Sequence, residues 1–329
     1  MKKLILLLSI ALLASATLPA QVTRNVPAGF PTIQSAINAS ANGDTVLVAP
    51  GTYFENLLIV GKTITVRGSA GAVATIVDGS MQGPVLRIGP GLDRALLIEG
   101  LTFRNGKGAD ATMMNQGAQA GGIDIRLSAP TILRCDILDN FGGGASSGAI
   151  GGPGGIMSRG LGPNPLGPAI RNCRIMNNVG GGAVMSPTGG PMAAHGGAGG
   201  ILLVESNIFV RACVIENNQG ADSIGQPNYR GSSAGGIGIV LPARDPVIED
   251  CEIHFNTGGN ALSGAARAGA GAIGSGSVAV TINTGMPFIH FNNIGNNQGG
   301  NALDPNLPGV IAFPAAGSGG IDCSTARIE

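Results

Sequence analysis

The chain has 329 residues, 57 of them Gly, with 9 Phe, 2 Tyr and no Trp, which excludes a core built on large aromatic side chains. Apolar residues make up 43% and charged residues 12%, the reverse of the balance that keeps a chain disordered. The 19 basic and 19 acidic residues cancel, and beyond residue 20 the only lysines are Lys62 and Lys107, which argues against nucleic acid as a partner.

At the amino terminus Lys2 and Lys3 precede the apolar run Leu4 to Leu13, with small residues at Ala14, Ser15 and Ala16 and again at Ala20. This pattern predicts a secretory signal peptide over residues 1–20. No cysteine follows the run to accept a lipid, and no later stretch has the ~20 apolar residues of a membrane helix. The mature chain is therefore expected to be secreted or at the cell surface, without a transmembrane segment. After Val26-Pro27 and Phe30-Pro31, the residues Ile33, Ala36, Ile37 and Ala39 recur at helical spacing, and a short amphipathic helix is predicted to end near Asn42-Gly43-Asp44. Thr45 to Val48, Leu57 to Val60 and Thr63 to Val66 read as strands, with Pro50-Gly51-Thr52 as a turn.

A repeat dominates the rest. Ile132, Cys135, Ile137 and Asn140 recur as Ile170, Cys173, Ile175 and Asn178, then as Val210, Cys213, Ile215 and Asn218, then as Ile248, Cys251, Ile253 and Asn256. A fifth copy, Ile289, Asn292, Ile294 and Asn297, has asparagine in the cysteine slot, and an upstream relative, Ile98, Leu101 and Phe103, has leucine there. The cysteines are 38, 40 and 38 residues apart, a period that signals stacked supersecondary units. Each unit opens on a Gly-Ile pair such as Gly122-Ile123, Gly155-Ile156, Gly200-Ile201 and Gly236-Ile237. From there Ile123 and Ile125 alternate with Asp124 and Arg126, a period of two with too few residues for a helix. Three short strands per coil are predicted, with one bend just before the cysteine and a second at the asparagine, whose side chain suits a left-handed backbone.

Stacking places equivalent residues ~4.8 Å apart, so isoleucines and cysteines form inward columns and the asparagines an amide ladder. Asp136 and Arg174, one coil apart on the outer face, form a candidate ion pair. For the cysteines the preferred reading is free, buried thiols acting as small apolar groups, since Leu101 shares their slot. Disulfides between adjacent coils are within reach, although parallel side-chain vectors disfavour them, and a metal site would need ligands around an ion rather than in a column. The Gly-rich stretches Phe141 to Gly154, Val179 to Gly199, Gln219 to Gly235 and Thr257 to Gly271 read as flexible structural excursions. They match neither a phosphate loop nor a calcium-binding nonapeptide. They are expected to cover the outward residues Met157, Leu202, Val204 and Val240, whose apolar character suits a covered surface.

The run Thr32-Ile33-Gln34-Ser35-Ala36-Ile37, with Gly43-Asp44-Thr45-Val46-Leu47-Val48, Pro50-Gly51-Thr52-Tyr53 and Lys62-Thr63-Ile64-Thr65, resembles the opening of secreted right-handed parallel β-helix proteins of the pectin-lyase-like superfamily. The later copies, such as Asn172-Cys173-x-Ile175-x-Asn177-Asn178 followed by Gly181-Gly182-Ala183, resemble repeats of bacterial polymorphic outer-membrane proteins. The resemblance implies an all-β, right-handed parallel β-helix solenoid with an N-terminal capping helix and long Gly-rich loops. One domain is expected over residues 21–329, its last coil, opening at Gly319-Gly320-Ile321-Asp322-Cys323, incomplete. The superfamily spans lyases, hydrolases, esterases, epimerases, adhesins and carbohydrate binders, so the fold does not choose an activity.

The superfamily's motifs are missing residue by residue. No Asp-Asp pair or Gly-His-Gly occurs, no Trp-bearing lyase motif exists, and the stretch Gln116 to Ile125 supplies only Gln116, Gln119 and Asp124 toward an esterase site. In this superfamily the sugar cleft lies outside the first strand of each coil, and the charged residues there are Asp124, Arg126 and Arg159. In a catalytic reading an arginine of lowered pKa is the base and Asp124 helps hold a cation; the competing reading is a solvated charged rim. A second set, Glu216, Asp250, Glu252, His254 and His290, also reads as a solvated face, and His195 sits alone in a Gly-rich stretch. The expected function is a non-catalytic extracellular protein that binds polysaccharide or cell-surface components without a cofactor. The alternative is a polysaccharide lyase resembling pectate lyases, working by calcium-assisted β-elimination on a uronic-acid polymer.

Overall fold

The computed structural model describes residues 20–111, 117–146, 149–160, 167–182, 196–223, 233–240, 246–260, 273–276, 288–290, 292–299, 321–323 and 327–328. The predicted signal peptide, but for Ala20, and His195 lie outside them, as do the side chains of His290 and Cys323.

Every strand pair among the described residues is parallel, and the strands fall into three sheets that the chain visits in turn. Sheet A holds ten strands, from Thr23–Val26 through Thr131–Leu133 and Ala169–Arg171 to Arg327–Ile328. Sheet B holds eight, among them Asp136–Leu138 and Arg174–Met176, and sheet C eight, among them Ile123–Arg126, Ile156–Arg159 and Ile201–Val204. The fold is an all-β parallel β-helix. In register, Ile132 stands over Ile98 and under Ile170, and Ile137 over Phe103 and under Ile175. These columns, with those of sheet C, form one continuous core of fully buried Ile, Val, Leu and Cys side chains. Burying such side chains is worth roughly 1.5–3 kcal/mol each, and one coil cannot bury them alone.

The cysteine slot is an inward column. Cys135, Cys173, Cys213 and Cys251 are buried and unbridged, and the Cys135 amide donates to Cys173 Sγ at 3.5 Å. Asn292, in the same slot, accepts from the Cys251 amide at 2.9 Å and donates to the Ile248 carbonyl at 2.8 Å, so polarity there is satisfied by the coil edge. The bend before each cysteine is left-handed at Arg134, Asn172, Ala212 and Asp250. At the second bend the expectation shifts by one residue. The left-handed position belongs to Asp139, Asn177, Asn217, Phe255 and Asn296, each immediately before the ladder asparagine. Asn140, Asn178, Asn218 and Asn256 turn inward and are buried, because their task is bonding rather than backbone tolerance. Asn218 Oδ1 accepts from both the amide and the side chain of Asn178 at 3.0 Å, and Asn218 Nδ2 donates to Ile175 O and to Asn256 Oδ1. The ladder continues to Asn297, which accepts from the Asn256 amide at 2.8 Å. On the outside, the predicted Asp136 and Arg174 pair forms through two hydrogen bonds, and it raises the arginine's pKa.

The helix spans Ile33–Ala39 and buries Ile33, Ala36 and Ile37 against the first coil. Its first amides, at Ile33 and Gln34, donate to Glu55 at 2.8 and 2.9 Å, and Lys62 Nζ donates to three carbonyls at its other end. Gln34 then pairs with Leu58 as a neighbouring strand would, its Oε1 accepting from the amide and its Nε2 donating to the carbonyl. The open edge of sheet C is thus closed by one side chain. The strand expected at Thr63 to Val66 runs over Thr65–Gly68, and two further places differ from the sequence expectation. Thr23–Val26 adds a strand ahead of the helix, and Pro50-Gly51-Thr52 is no turn, because Gly51–Phe54 pairs along its length with Thr75–Asp78. Lateral pairing overrides the local turn signal there.

The Gly-rich excursions are ordered where described. Their outgoing legs bond to the next coil at every third residue: Gly108 and Ala111 donate to Phe141 and Gly144, Gly142 and Ala145 to Val179 and Gly182, Gly220 and Ser223 to Thr257 and Asn260. A period of three is that of the extended polyproline II chain rather than of a strand. Returning legs interleave, with Gly143 donating to Gln119, Gly152 to Gly143, Gly181 to Gly152 and Gly197 to Gly181. A Cβ on Gly152 would lie 1.8 Å from Gln119 O, and one on Gly181 would lie 1.8 Å from Gly143 O. Glycine is required there by space, and the described parts of the excursions, expected from composition to be flexible, form a hydrogen-bonded lattice.

Candidate functional site

The site is built on the outer face of sheet C. Leu58, Arg87, Asp124, Met157 and Leu202 follow one another in register along that face, and Arg126, Arg159, Val204 and Val240 form a second outward column. The lattice lies over the later coils. Ala120, Ile150 and Ala198 from its legs pack on Met157, Leu202, Val204 and Val240, which are buried as their apolar character implied. Over the earlier coils the roof gives way to a cleft of about 500 Å³, bounded by Asn56, Gln82, Arg87, Lys107, Asp110 and Gln119.

Asp124, Arg126 and Arg159 are brought together. Arg126 Nε donates to Asp124 Oδ2 at 3.0 Å, with Asp124 2% exposed and the Arg126 side chain 46% exposed. Burial raises the Asp124 pKa, and the charges of Arg126, Arg159 and Arg87 pull against that rise. Arg159 is partly buried, its guanidinium against the backbone of Gly117 and its Nε without a hydrogen-bond partner. Burial lowers its pKa, opposed by Asp124 and helped by Arg126. The direction matches the sequence expectation, but a guanidinium starts so high that it stays charged and serves as an electrostatic group rather than as a base. Calcium takes six to eight oxygen ligands, several of them carboxylate. Asp124 has three arginines acting on it and one oxygen already bonded, and among the described residues no group of three His, Cys, Asp or Glu side chains converges. These residues do not fit that ion.

In the cleft, Arg87 and Lys107 are exposed, and neither forms an ion pair among the described residues. Asp110 Oδ1 is engaged by the Gly144 amide at 2.7 Å, and Asn56 Nδ2 donates to three backbone carbonyls. The cleft therefore offers two cations, the exposed carboxylate of Asp110 and the Gln119 amide to an incoming group, while the Gln82 amide donates to Ser80 O. Arg87 and Lys107 were missed in the sequence because neither belongs to a repeat; only the rarity of lysine singled out Lys107.

The second predicted set is divided by the fold. Glu216 and His254 stack on sheet B, where His254 Nδ1 lies 3.2 Å from Gly295 O, whereas Asp250 sits at the bend and pairs with Arg211 at 3.1 Å. Glu252 is an exposed neighbour on sheet B, and His290 stands in the strand Phe288–His290 of sheet A. Alternation placed each residue outward, but the bend between sheets A and B turns them onto different faces.

No protein-family model and no curated protein matches the chain. Solved structures similar to it include the pectin methylesterase from Aspergillus niger in penultimately deglycosylated form, at 14% identity and a TM-score of 0.40, covering 91% of this chain and 94% of that one. Others are the pectin methylesterase PemA from Erwinia chrysanthemi, at 12% identity and 0.38, covering 95% and 94%, and the pectate lyase Pel9A, at 12% and 0.32, covering 84% and 75%. Nothing about activity is taken from likeness at this level, and the fold rests on the strand pairing of this chain itself.

Proposed function

We propose that this chain is an extracellular β-helix protein that binds an acidic polysaccharide in the sheet C cleft without turning it over. The observation that carries the reading is the pairing of two exposed cations, Arg87 and Lys107, with a carboxylate, Asp124, that is buried and engaged by Arg126. Guanidinium and ammonium groups facing a carboxylated sugar give charge-assisted hydrogen bonds. Elimination or hydrolysis needs a base or a carboxyl pair at the substrate; Asp124 is withdrawn from solvent, and Asp110, the one carboxylate among the described residues bounding the cleft, stands without a second carboxyl there and has an oxygen taken by the Gly144 amide.

The test is equilibrium binding of a uronic-acid polymer together with an assay for unsaturated uronides, with and without calcium. Binding that weakens with salt, falls about tenfold in an Arg87→Ala, Lys107→Ala double variant and yields no unsaturated product is the expected result. Unsaturated product that appears with calcium and disappears in Arg159→Ala would establish the lyase reading instead.

A further inference from the structure

The cleft owes its shape to a jump in connection length along the stack. The first coil passes from sheet B to sheet C through residues 55–56 and the second through residues 79–85, whereas the third takes residues 105–122. The third connection therefore stands out past the two before it as a step, and its described legs supply Lys107, Asp110 and Gln119 to the cleft. Lys107 N donates to Gly83 O at 3.0 Å, which seats the base of the step on the second coil. The step is braced from behind. Gly108 and Ala111 donate to Phe141 and Gly144 of the next coil at 2.8 Å, Gln119 to Ala109 and Gly143 to Gln119 at 3.0 Å, and a Cβ on Gly108 would lie 1.9 Å from Gln119 O. Beyond it the outward column of sheet C continues as Asp124, Met157 and Leu202, each no more than 2% exposed, whereas at the first coil Leu58 and Val60 are 40% and 50% exposed. The floor is thus open at the amino-terminal end of the stack and stopped at the other. Two strand spacings, ~10 Å, separate its edge at Leu58 from the strand of Asp124.

We infer that the cleft takes the terminus of an acidic polysaccharide and excludes its internal segments, an inference that rests on the binding role proposed for the cleft and adds which part of the polymer is held. A polymer laid along the floor meets the step head-on, so an internal segment would need an exit that the braced legs close. The side chains divide in the same sense. Arg87, exposed on the floor, meets the carboxylates that every uronic sugar carries, and Lys107 on the step supplies a second cation for the last of them. Asp110, whose Oδ1 is held by the Gly144 amide at 2.7 Å, and the Gln119 amide suit hydroxyl groups instead. The end of a chain presents a hydroxyl there that an internal sugar has given up to its glycosidic bond.

The experiment counts proteins per polymer molecule. The intact protein is titrated calorimetrically with a uronic-acid hexamer and with a long uronic-acid polymer of narrow length distribution, at one ionic strength. One protein should bind per molecule of either, whatever its length. The same polymer carrying a bulky tag at both ends should lose at least about tenfold in affinity, as should the untagged polymer toward an Arg87→Ala, Lys107→Ala double variant of unchanged circular dichroism. Several proteins on each polymer molecule, or tagged polymer bound as tightly as untagged, would overturn the inference and leave acidic-polysaccharide binding in place. Failure of both hexamer and polymer to bind, or binding that the double variant keeps in full, would overturn the role of the cleft and the inference with it.

Discussion

Asn218 shows how one buried amide joins two coils. Its oxygen satisfies the Asn178 amide from one side and its nitrogen the Ile175 carbonyl, so replacing it strands polar groups on the coil below and opens the ladder to Asn256. Asn218→Ala should lose about 3 kcal/mol of unfolding free energy by denaturant titration, more than a single exposed hydrogen bond is worth. The thiols make a second residue-scale prediction. Burial pushes the Cys135 thiol up to about 12 from an ordinary value of 9.0. The folded state therefore holds a proton that the unfolded state releases, and stability should fall as pH rises from about 9 toward about 12. At pH 8 no more than one of the 5 cysteines, Cys323, should react with a thiol reagent until denaturant is added. Labelling of the other four in the native protein would contradict the burial of the column.

At the level of elements, the Gly-rich legs behave as structure, and two adjacent glycines separate that view from flexible tethering. Gly181 lies so close to Gly143 O that a methyl group cannot enter, whereas a Cβ on Gly182 meets only the Ala221 side chain at 3.9 Å. Gly181→Ala should destabilise by roughly 2 kcal/mol or more through overpacking, and Gly182→Ala should be close to neutral. A mobile loop would tolerate both equally, so matched thermal melts decide the question. The helix is likewise held by its ends as well as by its three buried residues. Glu55→Ala removes the acceptor for two N-terminal amides and should cost about 1 kcal/mol, with faster amide exchange at Ile33 and Gln34.

Across the whole molecule the columns inside the coils form the core, and the lattice makes the later part of sheet C two-sided. Parallel strands buried on both faces carry apolar residues at consecutive positions, as Ile201–Val204 does. The same outward column is roofed at Leu202, which is fully buried, and open at Leu58, which is 40% exposed. Leu202→Asp places an uncompensated charge under the roof and should prevent folding or cost several kcal/mol, while Leu58→Asp should fold normally. The roof also determines what the charged face can do. Where it covers sheet C the surface is closed, and where it ends Arg87 and Lys107 reach solvent.

The repeat was legible from the sequence because a parallel stack writes each coil in the same register. Ile132, Cys135 and Asn140 keep fixed spacing, and that spacing specified three strands per coil, the thiol column, the amide ladder and the Asp136 and Arg174 pair. Local signals also gave the helix, though the turn expected at Pro50-Gly51-Thr52 yielded to pairing with a strand more than twenty residues away. The tertiary structure alone decided the rest. The exposure of a side chain depends on what covers it, and the cover over Met157 and Leu202 comes from glycine-rich segments whose composition reads the same whether they are loose or packed. Likewise Arg94 and Arg171 meet on Phe209 because the coil brings residues 77 positions apart within one step or two of the stack, a proximity that no linear motif records.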